Sequence, residues 1–121
     1  MQQNIKTFQI KQNDTLPALQ VNIKTRDSLD SVIPFDLSAV TACTFSMIDS
    51  SGNFKISAMT AATNSSSGGT IQYNWVDGDT DTDGKYKAEF KLYFSGGTGT
   101  KITLPTFGVI EVNILKDING I

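Results

Sequence analysis

The feature that most constrains the fold of this chain is an alternation of apolar and polar side chains with a period of two residues. It is clearest over residues 85–94, where aromatic and aliphatic residues alternate with lysines, a glutamate and a tyrosine. Successive side chains of a β-strand point to opposite faces of its sheet, so this period predicts strands with one buried face. Shorter segments repeat the pattern at 8–10, 19–23, 45–47, 54–58, 71–75 and 107–115. The residues predicted to be buried are Val21, Ile23, Phe45, Trp75, Tyr86, Phe90 and Val112.

The residues between these segments are typical of turns. Glycine, proline, aspartate, asparagine and serine cluster there, for example in the Asp49-Ser50-Ser51-Gly52-Asn53 stretch. About seven to eight short strands at this spacing predict an all-β fold, an antiparallel β-sandwich of immunoglobulin-like architecture. A closed barrel is the alternative. The pin of antibody domains, a tryptophan packed on an internal disulfide, is missing, so the expected likeness is one of architecture.

The length of 121 residues fits one domain, spanning residues 1–121. Residues 1–7 are polar and too few to pack by themselves, so we expect a flexible N-terminal arm that pairs with a sheet edge of a neighbouring molecule. The glycine-rich stretches 65–69 and 95–100 are expected to be mobile loops.

The composition removes most catalytic chemistry. The sequence contains no histidine, and Cys43 is its one cysteine. A Ser-His-Asp triad, a Cys-His pair and a histidine-ligated metal are therefore excluded. Cys43 lies in an apolar stretch, which favours a buried thiol over a reactive one. We expect a non-enzymatic protein with no catalytic residue, no cofactor and no small-molecule substrate.

The charge pattern bears on macromolecular partners. Ten basic and twelve acidic residues give a net charge of −2, and the lysines are scattered along the chain. Nucleic-acid binding is disfavoured, since it needs a concentrated basic surface. No segment approaches the ~20 apolar residues of a membrane helix, and the polar start has no apolar core of a secretory signal. We therefore predict no membrane association and no signal peptide.

One segment resembles half of a calcium-binding loop. Asp79, Asp81 and Asp83 alternate and are followed by glycine, as in the first half of an EF-hand loop. The second half does not fit, because Phe90 occupies the position of the bidentate glutamate and Glu89 comes one residue early. A solvated turn is the preferred interpretation, and calcium at these three aspartates is the metal-site alternative.

The aromatic residues have two possible roles. Tyr73 and Trp75 are candidates for a sugar-stacking platform, but they share the two-residue period of their apolar neighbours, which favours the core. Tyr93 lies on the polar face of its strand and is the candidate for an exposed contact. A carbohydrate- or cell-surface-binding module is therefore the alternative function.

Six short motifs occur in a characteristic order that covers most of the chain, from about Lys11 to Leu115. They are Lys11-Gln12-Asn13-Asp14-Thr15-Leu16-Pro17, Pro34-Phe35-Asp36-Leu37, Phe45-Ser46-Met47, Gly69-Thr70-Ile71-Gln72-Tyr73-Asn74-Trp75, Asp83-Gly84-Lys85-Tyr86-Lys87-Ala88-Glu89-Phe90 and Leu104-Pro105-Thr106-Phe107. This order is similar to that of the N-terminal domain of upper baseplate proteins of tailed phages, and of related immunoglobulin-like modules in phage structural proteins.

The resemblance implies a β-sandwich with a structural role in a virion. Such a domain docks on a neighbouring capsid, tail or baseplate protein, so the expected partners are other virion proteins, contacted by many copies per particle. In that family a long extension carrying the receptor-binding part follows the domain, whereas this sequence ends soon after the last predicted strand. It therefore resembles a small accessory, adaptor or decoration protein. Assembly in the host cytoplasm and release by lysis require no signal peptide, so the expected location is the virion.

Overall fold

The computed structural model describes residues 2–3, 7–65, 67–94, 101–105 and 109–118. These residues form eleven strands. In order they are β1 (Gln2–Gln3), β2 (Thr7–Lys11), β3 (Leu19–Arg26), β4 (Val32–Pro34), β5 (Val40–Ile48), β6 (Phe54–Thr60), β7 (Ala62–Ser65), β8 (Thr70–Tyr73), β9 (Gly84–Phe94), β10 (Lys101–Leu104) and β11 (Ile110–Leu115). Within these ranges no helix has the length and apolar character needed to cross a membrane.

The strands form two sheets. The five-stranded sheet has the order β1–β3–β8–β7, with β4 also paired to β3. The six-stranded sheet has the order β2–β11–β9–β5–β6, with β10 also paired to β9. Every described pair is antiparallel except β2 with β11, which is parallel. The predicted all-β sandwich is confirmed. The orders β1–β3–β8–β7 and β5–β9–β11 correspond to the ABED and CFG sheets of immunoglobulin domains, with β2, β4, β6 and β10 as additional strands.

An aromatic cluster joins the two sheets at the centre of the sandwich. The ring of Phe45 stacks on Tyr73 with centroids 4.4 Å apart, and it also contacts Phe90 at 4.9 Å. Trp75 meets Phe45 edge-on at 5.7 Å. Phe45 and Phe90 belong to the six-stranded sheet, whereas Tyr73 ends β8 in the five-stranded sheet. All seven residues predicted to be buried are buried, each at most 6% exposed.

The strand at 54–60 departs from the predicted alternation. We expected Phe54, Ile56 and Ala58 to share a buried face, but only Ile56 is buried. Phe54 is 67% exposed, and Ala58 has a φ of +49°. The register of β6 against β5 shifts around Met47, so bulges change which face each side chain takes.

Tyr86 fixes the entry to β9. Its hydroxyl donates to the carbonyl oxygen of Thr82, four residues earlier, at 2.8 Å. This is the tyrosine corner of immunoglobulin-like sandwiches, in which a tyrosine near the start of strand F bonds back to the preceding turn. The Asp-Gly-x-Tyr motif therefore has a structural explanation.

Gly69 lies where only glycine fits. A Cβ atom there would stand 2.4 Å from the carbonyl oxygen of Ile23 and 2.9 Å from the amide nitrogen of Phe35, and the φ is +70°. Ile23 donates to the Gly69 carbonyl and accepts from Phe35, so β8 and β4 meet on one edge of β3 at this point. Close backbone contacts hold Gly69, at the end of the predicted 65–69 loop, and the mobility of this loop stays a prediction. The 95–100 loop and Phe107 lie outside the described residues.

The N-terminal arm was predicted to be flexible. The structure pairs Gln2–Gln3 with Ile23 and Lys24 of β3 and pairs Thr7 with Glu111 of β11. In this arrangement an edge of each sheet of the same chain satisfies the backbone groups of these residues, and the flexibility of the arm stays a prediction. Residues 1 and 4–6 lie outside the described part of the chain.

Candidate functional site

The aspartate-rich turn between β8 and β9 is tied into the sandwich by its side chains. The carboxylate of Asp79 accepts hydrogen bonds from the Tyr73 hydroxyl at 2.6 Å and from the Val76 amide at 3.0 Å. Burial, followed by this bond to Asp79, raises the pKa of Tyr73 well above its ordinary value. Asp79 therefore stabilises the turn from within.

The other two aspartates of the predicted calcium site have different surroundings. Asp81 forms an ion pair with Lys55 of β6 and accepts from the Thr82 hydroxyl at 2.9 Å. The hydrogen bond from Lys55 is the largest of the effects that lower the pKa of Asp81. Asp83 is exposed immediately before β9. Within the described ranges, no three acidic, histidine or cysteine side chains gather closely enough to hold a metal. Calcium binding at Asp79, Asp81 and Asp83 stays a prediction.

A second loop packs against this turn. The Asn13 amide donates to the Thr80 carbonyl at 2.9 Å, and the Thr80 hydroxyl donates to the Asp14 carbonyl at 2.7 Å. Thr80 is only 1% exposed, so its hydroxyl bond is made within the protein. We call these two loops, residues 12–18 and 74–83, the acidic end of the sandwich.

Cys43 is buried in β5, as the sequence predicted. Burial raises the pKa of its thiol to about 12, so it is protonated at neutral pH. A thiolate is the reactive form of cysteine, so this environment suppresses nucleophilic chemistry. A groove of about 250 Å³ lies beside it, lined by residues 40–44 of β5 and by Thr60, Ala61 and Thr63.

The aromatic candidates for sugar stacking are not on the surface. Tyr73 and Trp75 are 2% and 4% exposed, so neither presents a ring face to solvent. Tyr93 is half-buried on the outer face of the six-stranded sheet, between Ala42 of β5 and Lys101 of β10. Only Tyr93 of these three is accessible to a partner.

The outer face of the six-stranded sheet carries a concentration of lysines. On β9 the outward residues are Lys85, Lys87, Glu89, Lys91 and Tyr93. The strand register adds Lys11 of β2, Glu111 of β11 and Lys101 of β10 to the same face. We call this surface the lysine face. It has five lysines and two glutamates in a chain whose net charge is −2, so the rest of the molecule is acidic.

An exposed apolar group lies within the lysine face. Phe54 is opposite Ile48 across β5 and β6, and Ile48 is opposite Lys87 across β5 and β9. Together with Val109, these residues line a groove of about 350 Å³. The sequence alone did not predict this surface. The alternating lysines of β9 were visible in the sequence, but the bulged register of β6 that turns Phe54 outward was not.

Comparisons with known proteins bear on the fold. No family model and no curated protein matches the sequence. Among solved structures, the fold is similar to "The crystal structure of CopC from Methylosinus trichosporium OB3b", with a TM-score of 0.51. The match covers 96% of this chain and 91% of that chain at 12% sequence identity. At this identity the similarity supports a shared β-rich fold and carries no functional assignment.

Proposed function

We propose that this protein is a non-enzymatic structural module of a tailed-phage virion that docks on a capsid, tail or baseplate protein. The observation that carries the proposal is the order of motifs over residues 11–115, which resembles the N-terminal domain of phage upper baseplate proteins. The β-sandwich that this resemblance implies is the fold that the chain adopts.

The environments of the candidate reactive groups support a role in binding. Cys43 is a buried, protonated thiol, and Asp79 bonds to Tyr73 and to the backbone of its own turn. Asp81 is engaged by Lys55. The two carboxylates therefore have structural partners, and the Cys43 thiol is held in its unreactive form. The side chains left for contact with a partner are those of the surface.

The surface has exposed apolar side chains and an edge strand that are available for docking. Phe54 is 67% exposed in β6, an edge strand of its sheet, and it lies beside Ile48 and Val109. Edge strands with accessible backbone groups are common sites of protein–protein pairing. Exposed apolar groups rimmed by polar residues mark interaction surfaces. A contact through a sheet surface and its edge suits a module that is added in many copies.

The test is whether the protein is a component of particles. An affinity-tagged copy is supplied to cells infected with the phage that encodes this chain, and particles from a nuclease-treated lysate are separated on a density gradient. We expect the tagged chain to sediment with the particles and to stay bound through washing. The control is the same chain expressed without infection, which must remain at the top of the gradient. Recovery of the chain only in the soluble fraction of infected lysates would contradict the proposal.

A further inference from the structure

The lysine face has an apolar groove at its β6 edge, beside the lysines of β9. Lys87 lies between Ile48 of β5 and Glu111 of β11. Along β9, Lys85 is two residues and Lys91 four residues from Lys87, and Glu89 lies between Lys87 and Lys91 on the same face. Of the five lysines of the face, Lys87 lines the groove that Phe54 also lines. Glu89 is the acidic residue lining that groove.

The acidic end also combines exposed apolar side chains with charged ones, but its charges are negative. Leu16 is 75% exposed and Val76 is 50% exposed, one in each of the two loops that are hydrogen-bonded together. Exposed carboxylates lie close to them in sequence, at Asp14 and Asp77. This end therefore presents two apolar side chains among negative charges.

We propose that the acidic end of one copy of this chain docks on the lysine face of a second copy. The carboxylates of the end then lie near the lysines of the face, and Leu16 and Val76 enter the groove beside Phe54 and Val109. Opposite charges steer the approach, and the apolar side chains are removed from water on contact. This inference does not depend on the virion role, because it concerns contact between identical chains.

The charge distribution also selects the symmetry of the contact. Two lysine faces placed against each other would bring like charges together, and so would two acidic ends. A face-to-end contact avoids both arrangements and is heterologous. A heterologous contact repeats from copy to copy, so it closes into a ring or extends into a chain.

The experiment uses charge reversal on both sides of the contact. A face variant carries Lys87→Glu and Lys91→Glu, an end variant carries Asp77→Lys and Asp83→Lys, and a combined variant carries all four changes. Sedimentation velocity is recorded over a range of protein and salt concentrations. We expect wild-type association that grows with concentration and weakens with salt, loss of it in each two-site variant, and its return in the combined variant. An equimolar mixture of the two-site variants should also associate.

Two controls keep the result interpretable. The pair Lys24→Glu and Asp30→Lys makes one charge reversal of each kind, on the other sheet and at the opposite end of the sandwich, and it should associate as wild type does. If the face variant does not fold, Phe54→Ser removes the aromatic ring from the groove and should reduce association. It leaves the core intact, since Phe54 is 67% exposed. A wild-type chain that is monomeric at millimolar concentration overturns the proposal. So does association that the reversals leave unchanged, or a combined variant that does not recover.

Discussion

At the scale of single residues, the residue type at some positions is explained by contact with a single backbone group. Gly69 leaves room for the carbonyl of Ile23, and the Tyr86 hydroxyl reaches the carbonyl of Thr82. Both belong to motifs that carry the family resemblance. These two motifs are therefore explained by the architecture of the sandwich. The choice of partner depends on the residues of its surface.

Removing the Tyr86 hydroxyl tests the tyrosine corner. Tyr86→Phe should lower the free energy of unfolding by about 1 kcal/mol or somewhat more, because the Thr82 carbonyl loses its partner. Urea denaturation measures the change. Tyr93→Phe is the matched control, since within the described ranges no hydrogen bond of its hydroxyl is found, and it should have little effect. Equal losses in the two variants would contradict a special role for Tyr86.

Because the thiol of Cys43 is buried, we predict that the free energy of unfolding depends on pH in the alkaline range. Burial raises the pKa of its thiol from the ordinary 9.0 to about 12, so between these values the unfolded chain loses a proton that the folded chain keeps. Its contribution to stability is therefore complete below pH 9 and falls as the pH rises toward 12, by at most about 1.4 kcal/mol per pH unit. The difference in unfolding free energy between wild type and Cys43→Ala should be constant below pH 9 and shrink above it. A difference that stays constant through pH 11 would contradict the buried thiol.

At the scale of elements, β9 is the central strand of the six-stranded sheet. It pairs with β5 on one side and with β10 and β11 on the other. Its inward residues are those that the two-residue period identified, and Phe90 is fully buried against Phe45. Phe90→Ala should therefore cost about 3–5 kcal/mol of unfolding free energy, measured by urea denaturation. A loss under about 1 kcal/mol would mean that the aromatic cluster does not hold the sheets together.

The turn between β8 and β9 gives the second prediction at this scale. Hydrogen bonds from Tyr73 and Val76 to Asp79, and the ion pair of Asp81 with Lys55, explain the conformation of the turn without a cation. We expect the same melting temperature with added calcium and with a chelator, because only a ligand that binds the folded state raises apparent stability. A clear rise with calcium that is lost in Asp83→Asn would establish the alternative metal site.

The strands that the sequence predicted well are those whose own side chains carry a full alternation, such as β3 and β9. The short strands β1, β4, β7 and β10 have two to four residues, too few to show a period, and they exist because a neighbouring strand offers backbone partners. The exposure of Phe54 follows from bulges between β5 and β6, which depend on the pairing of two strands. Local patterns cannot contain this information. For the same reason the lysines of β9 were identified as a polar strand face but not as part of a larger basic surface.

At the scale of the whole molecule, the sandwich has one surface rich in lysine and another rich in aspartate. The lysine face covers one sheet, and the acidic end closes the sandwich where the loops 12–18 and 74–83 meet. The core supplies stability, and these two surfaces are available for partners.

The central claim is that the chain is a stoichiometric virion component, and quantitative mass spectrometry of purified particles tests it most directly. Isotope-labelled peptides of this chain and of the major capsid protein give the number of copies per particle. The account predicts several copies per particle, in a ratio that is constant between preparations and unchanged by further purification. Absence of the chain from particles, or a ratio that falls with each purification step, would contradict it.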